Sequence, residues 1–165
     1  MKNARHHKSQ QRGHRRFLVI DFLRRFVALC LIAVPLNFLW ELGQSTLYLP
    51  PSRLQDTWWH CFKASLGDGL LVGMIYVVCA IVFRENDWYQ RIRASHYLTI
   101  VATGLAVSVL VEWAALLKHR WVYAATMPLI PGMQIGLVPV AQMIVLPLVV
   151  FLIARTWTER RRIAY

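Results

Sequence analysis

Three carboxylates stand inside apolar runs of this 165-residue chain. They are Glu41 in "PLNFLWELGQSTLY" (35–48), Asp68 in "HCFKASLGDGLLVG" (60–73) and Glu112 in "SVLVEW" (108–113). An acid placed in hydrocarbon costs several kcal/mol unless it faces partners, so residues of this kind mark proton-transfer or ion chemistry. Each acid has polar company nearby in sequence. With a helical turn of about 100° per residue, Asn37, Glu41, Gln44 and Tyr48 fall within an arc of about 60°, one polar stripe on one helix. His60 and Lys63 precede Asp68, Ser108 lies one turn before Glu112, and Gln142 sits alone in "PVAQMIVLP" (139–147).

The depths of the three acids agree. Glu41 and Asp68 each lie about four residues outward of the centre of their apolar runs and Glu112 about five, which at about 1.5 Å per residue is one layer roughly 6–8 Å outside the midplane. Gln142 falls within a turn of that layer. Acids buried together can share a proton rather than each carry a charge. The expected chemistry is therefore proton transfer in a pocket open to the outer side. Glu41 and Asp68 are the acid and the base, and Glu112 sets their charge state. Asn37, Trp40, Gln44, His60, Lys63, Tyr123 and Gln142 are the substrate-binding residues, His60 and Lys63 lying at the rim. A structural reading stands beside this one. Asn37 and Gln142 can be interhelical hydrogen-bond glue, Lys63 can snorkel to the interface, and Gly67, Gly69 and Gly73 can serve close helix packing.

The elements that must position these residues follow from composition. Of the residues 57% are hydrophobic and 16% charged, the profile of an integral membrane protein. Apolar runs of the required length of about 20 residues lie near 26–48, 61–83, 97–117 and 135–155. The expected fold is all-α, a polytopic bundle of four transmembrane helices over 26–155, with a basic tail at 1–25 and another at 156–165. The formal charge of +11 is explained by topology: fifteen of the nineteen Lys and Arg residues fall on one side of such a bundle, leaving Arg53, Lys63, Lys118 and Arg120 on the other. By the positive-inside rule both termini are cytoplasmic, in the inner membrane of a bacterium. Nucleic acid is not an expected partner. The stretch 14–26, "HRRFLVIDFLRRF", reads as a basic helix lying on the inner leaflet. The first apolar run continues through Trp40 and Glu41 without a cleavage site of small residues, so it is retained rather than removed as a signal.

Tyr48, Trp58, Trp59, Trp121 and Tyr123 are expected at the outer interface, and Trp88, Tyr89 and Trp157 at the inner one, as aromatic belts. Cys30, Cys61 and Cys79 give neither a disulfide framework nor a thiolate metal site. No metal and no cofactor is expected, since phosphate loops, zinc helices and nucleophile elbows are all missing.

Several motifs together resemble an uncharacterised family of small bacterial four-span inner-membrane proteins. They are N-x-x-W-E-x-x-Q (Asn37, Trp40, Glu41, Gln44), H-C-x5-G-D (His60, Cys61, Gly67, Asp68), E-W (Glu112, Trp113) and W-x-Y-x4-P-x2-P (Trp121, Tyr123, Pro128, Pro131). That likeness covers most of the chain and brings no activity. Asn37, Trp40 and Glu41 alone are similar to a stretch of the integral membrane terpene cyclases. This second likeness implies that Glu41 donates a proton to an epoxide or olefin and that Trp40 offers a π face to a carbocation. "SLGDG" (65–69) is similar to an element of intramembrane aspartyl proteases, but Ser65 replaces its first glycine.

Three function classes remain open. The leading one is an enzyme doing acid–base chemistry, of cyclase or isomerase type, on a lipidic, isoprenoid-like substrate entering from the outer leaflet. The others are a small proton-coupled carrier or channel and a non-catalytic accessory subunit. Membrane lipids and a lipidic small molecule are the expected partners, and a homo-oligomer is compatible with each class.

Overall fold

The computed structural model describes residues 2–48 and 54–163, with the side chains of 19–48 and 57–160. The side chains of 14–18 within the basic stretch, and Arg53, Arg161 and Arg162, lie outside the described residues. Among the described residues four α-helices account for most of the length: α1 Lys2–Gln44, α2 Leu54–Phe83, α3 Ala94–Leu117 and α4 Leu137–Ile163. A short 3-10 turn, Ser45–Leu47, follows α1, and another, Trp88–Arg91, joins α2 to α3. Within these, the segments Thr57–Phe83, Ala94–Leu117 and Leu137–Arg160 are long and apolar enough to cross a membrane.

The helices close into a ring, each packing on the next and α4 returning to α1. Small residues set the spacing. A Cβ on Gly69 would stand 2.7 Å from Val34 Cγ2, and one on Gly73 would stand 2.6 Å from Phe26. Both glycines therefore admit α1 against α2, as small residues do at close helix contacts. Gly67 faces open space and has no such role. Between α3 and α4, a Cβ on Gly104 would run into the Met143 carbonyl oxygen. Backbone cannot step aside as a side-chain tip can, so Gly104→Ala should destabilise the bundle by about 1–3 kcal/mol, the usual cost of overpacking. Gly67→Ala should change little. Thermal unfolding in detergent checks the pair, and equal melting of both variants would contradict the close α3–α4 approach.

Helix ends follow local chemistry. The α3 N-terminus is held by His96, whose Nδ1 accepts the Arg93 N–H at 3.0 Å, satisfying a donor that no helical carbonyl can reach. After α2, Arg84 adopts φ 56°, a left-handed residue of the kind that stops helices. Pro139 stands in the first turn of α4, where the missing N–H breaks no helical bond.

Toward the α2–α3 connection the core is apolar: Leu29 and Ala33 of α1, Val72, Ile75 and Cys79 of α2, and Val150 of α4 are all buried. Below them the α2–α3 connection folds back under the bundle. Trp88 is 1% exposed, stacked on His96 at 5.7 Å and edge-on to Phe151 at 4.8 Å. Tyr76 donates to the Asn86 carbonyl at 2.9 Å, and Arg25 donates to the Tyr89 hydroxyl at 3.3 Å. Trp88 and Tyr89 are thus core residues that seal one end of the ring, not members of an exposed aromatic belt. The turn gives each ring aromatic neighbours, while the buried Trp88 Nε1 has no hydrogen-bond partner among the described residues.

Candidate functional site

At the other end of the ring, polar side chains of three helices meet. Past Pro35 the last turns of α1 present Asn37, Glu41 and Gln44 along one face. Helix α2 contributes Asp68 and α4 contributes Gln142. The Gln142 amide is the hub. Its Nε2 donates to Asn37 Oδ1 at 2.9 Å, to Asp68 Oδ2 at 2.8 Å and to Glu41 Oε1 at 3.2 Å. Its Oε1 accepts from Gln44 Nε2 at 3.0 Å. Gln44 Nε2 also donates to Glu41 Oε1 at 2.7 Å, and Trp40 Nε1 donates to Gln44 Oε1 at 3.2 Å. The second Asn37 function is closed within its own helix, Nδ2 donating to the Ala33 carbonyl at 2.9 Å.

The site is short of donors. A primary amide nitrogen carries two hydrogens, yet three acceptors surround Gln142 Nε2. The Glu41 and Asp68 carboxyl groups converge on that one nitrogen. Two carboxyl groups can bond to one another only with a proton between them. Burial divides the cluster in a useful way. Asn37, Gln44 and Gln142 are buried, whereas Glu41 and Asp68 are only half-buried. The two acids, with Trp40, are the accessible edge of the network.

Glu112 belongs to a second limb. It is buried on α3 and accepts hydrogen bonds from the Tyr123 hydroxyl and from Trp121 Nε1 at 3.4 Å. The Tyr123 oxygen in turn accepts the Gly136 N–H at 3.0 Å. Glu112 therefore pins the 118–136 connection across this end of the ring. Further ties are the Ala124 N–H on the Leu47 carbonyl at 2.9 Å and Trp113 Nε1 on the Met133 carbonyl at 3.2 Å. Burial first, and then the bond to Glu112, push the Tyr123 phenol above its usual range, so it stays a donor. Among the described residues no hydrogen bond joins the two limbs, although Glu112 remains in electrostatic range of Glu41. Tyr48 stands between them. Its ring is 5.7 Å from Tyr123, and its phenol feels Glu112, Glu41, Tyr123 and Asp68.

Of the residues expected from sequence, Asn37, Trp40, Glu41, Gln44, Asp68 and Gln142 come together in one network. Glu112 and Tyr123 form the neighbouring limb. His60 and Lys63 are exposed on the first turns of α2. Among the described residues the ion pairs are Arg25 with Asp21 and Arg155 with Glu159, so neither rim residue pairs with the acids. Tyr48, expected both on the polar stripe and at the interface, and Trp121, expected as an interfacial ring, belong to the site. A signal for Trp121 was present: it stands two residues from Tyr123, and alternate residues of an extended segment point the same way. Among the described residues no three of His, Cys, Asp and Glu converge as a metal ion would require. No family model, no curated protein and no solved structure matches this chain.

Proposed function

We propose that the protein is an inner-membrane enzyme that crosses the bilayer four times, with both termini in the cytoplasm, and isomerises or cyclises a lipidic, isoprenoid-like substrate by proton transfer. One observation carries the chemistry: Glu41 of α1 and Asp68 of α2 converge on the same Gln142 Nε2, at 3.2 Å and 2.8 Å, and lie at the half-exposed edge of a buried network. In the reaction, Glu41 gives its proton to a substrate double bond or epoxide, leaving a carbocation. Asp68 removes a proton from a neighbouring carbon and restores a double bond. The proton returns to Glu41 through the carboxyl pair, so the cycle balances without an oxidant or reductant. Glu112 acts at one remove, through the connection it pins. The likeness to membrane terpene cyclases at Asn37, Trp40 and Glu41 supports the role of Glu41, by analogy.

The fourth span is α1 from about Phe26 outward. Its support is the apolar run 26–48 and the close contact along α2 at Gly69 and Gly73. The orientation rests on the distribution of Lys and Arg. Reporter fusions after Arg93 and Tyr165 should read cytoplasm, and fusions after Arg53 and Trp121 should read periplasm; an inverted pattern would overturn the orientation. A proton-coupled carrier is the weaker reading, since it needs a polar path through the inner half, where the described core is apolar and Trp88 closes the end.

The reaction itself is tested by lipid profiling of a strain lacking the gene beside its complemented strain. An isomerisation predicts that one lipid accumulates and another of equal mass disappears. Identical profiles would count against the enzyme reading.

A further inference from the structure

Three of the four seams of the ring are closed. Along α1–α2, Val34 lies against Gly69 and Phe26 against Gly73, and Phe38 packs on Trp58 and Phe62 with ring centroids 5.2 Å and 6.4 Å away. The apolar groove outside that seam is lined by no side chain of the acid network. Along α3–α4, the Met143 carbonyl meets Gly104, and Ser108 Oγ donates to the Pro139 carbonyl at 3.3 Å. Along α4–α1, the buried Asn37, Gln44 and Gln142 are bonded to one another. The 118–136 connection covers the end, with the Tyr48 ring against Tyr123 and Trp121.

The fourth seam, α2–α3, closes at one end only. Phe83 and His96 meet there with ring centroids 4.0 Å apart, and a Cβ on Gly104 would lie 3.8 Å from Ile75 Cδ1. Ala64, Asp68 and Leu71 recur at helical spacing with Ile75, so they share the face that Ile75 turns to α3. Burial falls off along that face: Ile75 is buried, whereas Leu71, Asp68 and Ala64 are half-buried. On α3, Val111 stands two turns beyond Gly104 on the same face, and it too is half-buried. Among the described residues no hydrogen bond crosses from Asp68 to Glu112. Gly67 lies at the edge of this gap, exposed, and a Cβ placed on it would meet no atom within 4 Å.

Both helices belong to the segments long and apolar enough to cross a membrane. Leu70 and Met74 of α2 and Leu110 of α3, which flank the gap, are exposed. A half-exposed acid in such surroundings costs free energy that a longer side chain at position 67 would avoid. The walls of the gap hold aliphatic side chains and a carboxyl group but no Lys or Arg, so they suit an uncharged hydrocarbon and not an anionic head group.

We infer that Gly67 sets access to the site: it leaves the α2–α3 seam open beside Asp68, and an uncharged apolar molecule dissolved in the bilayer reaches that carboxyl through the gap. That the natural visitor is the isoprenoid-like substrate rests on the proton-transfer reading above; the route itself does not.

The test uses the full chain in phosphatidylcholine vesicles at mildly acidic pH, where a carboxyl pair holds a proton. Dicyclohexylcarbodiimide partitions into hydrocarbon. A protonated carboxyl adds across one of its C=N bonds, and the O-acylisourea rearranges to a stable N-acylurea that keeps every atom of the reagent and is mapped by mass spectrometry. Asp68 should be labelled, and a carbodiimide carrying a quaternary ammonium group, confined to water, should label it several-fold less. Gly67→Leu should cut the Asp68 label several-fold while melting at or above the wild-type temperature, since it removes a glycine from an exposed helix face. Gly43→Leu is the control: Gly43 also faces open space, on α1, and its variant should label as the wild type does. No label on Asp68, equal labelling by the charged reagent, or full labelling of Gly67→Leu would overturn the route. Lipid conversion is measured on the same proteins. If Gly67→Leu loses the label and even the wild type converts no lipid, the route stands and the enzyme reading falls. If the label is lost while conversion continues unchanged, the substrate does not pass this way and its part of the proposal is overturned.

Discussion

Glu41→Gln and Asp68→Asn should each lower lipid conversion by about 10²-fold or more, the range that positioned acid–base groups contribute, while the proteins insert and melt as the wild type does. The structure sharpens this expectation. Each amide keeps the size of the acid and adds hydrogens to a network in which Gln142 Nε2 already faces three acceptors. A new amide on one of the paired side chains can donate to the other without a shared proton. The variants should therefore be as stable as the wild type or slightly more so, the usual relation between a functional site and stability. The double variant should be little worse than either single, because groups acting as one unit do not contribute additively. Glu112→Gln should lose far less, since a glutamine oxygen still accepts from Tyr123 and Trp121. Quantitative lipid analysis and thermal unfolding of the same four proteins make the measurement. Amide variants that remain active but melt early would reduce Glu41 and Asp68 to structural glue, and would favour the accessory-subunit reading.

Gln142→Leu should have the largest effect on stability, about 2–4 kcal/mol. The side chain keeps its bulk, so no cavity is opened. What is lost is the hub: Asn37, Glu41 and Asp68 each lose a donor, and Gln44 loses an acceptor. Single interhelical hydrogen bonds in membranes average only about 0.6 kcal/mol, because polar groups find other partners in the unfolded state. At most three such bonds, two from the Nε2 hydrogens and one to Oε1, break at once, and the fully buried Asn37 Oδ1 is left without a donor, which brings the loss into the stated range. Unfolding in detergent, followed by loss of helical signal, reads it. A loss below about 0.5 kcal/mol, the level of an ordinary surface change, would mean that Gln142 does not hold α4 to α1 and α2.

The helices were legible because their apolar runs are long and bounded: α2 and α3 end close to where the runs end. The polar stripe of Asn37, Glu41 and Gln44 was legible because helical periodicity needs no tertiary information. The hub was not. Gln142 stands alone among apolar neighbours, and which acceptors it meets depends on the rotation of α4. The Met143 carbonyl seated on Gly104 holds that rotation. Glu112 shared the depth of the other two acids, yet depth along the membrane normal says nothing of azimuth, and its partners come from the 118–136 connection rather than from helices. Trp88 and Tyr89 have the composition of a belt. Only the fold shows that a four-residue turn returns them to the core, where Tyr76, His96 and Phe151 receive them.

The seal that Trp88 makes at the end proposed to face the cytoplasm has an energetic corollary. If protons reach Glu41 and Asp68 from the outer compartment alone, the site equilibrates with one bulk phase and spans no electrochemical difference. A catalytic cycle that takes and returns its proton on the same side neither spends nor stores proton-motive force. The lipid conversion then runs at the same rate in energised and de-energised membranes, driven by the chemical potential of its lipids.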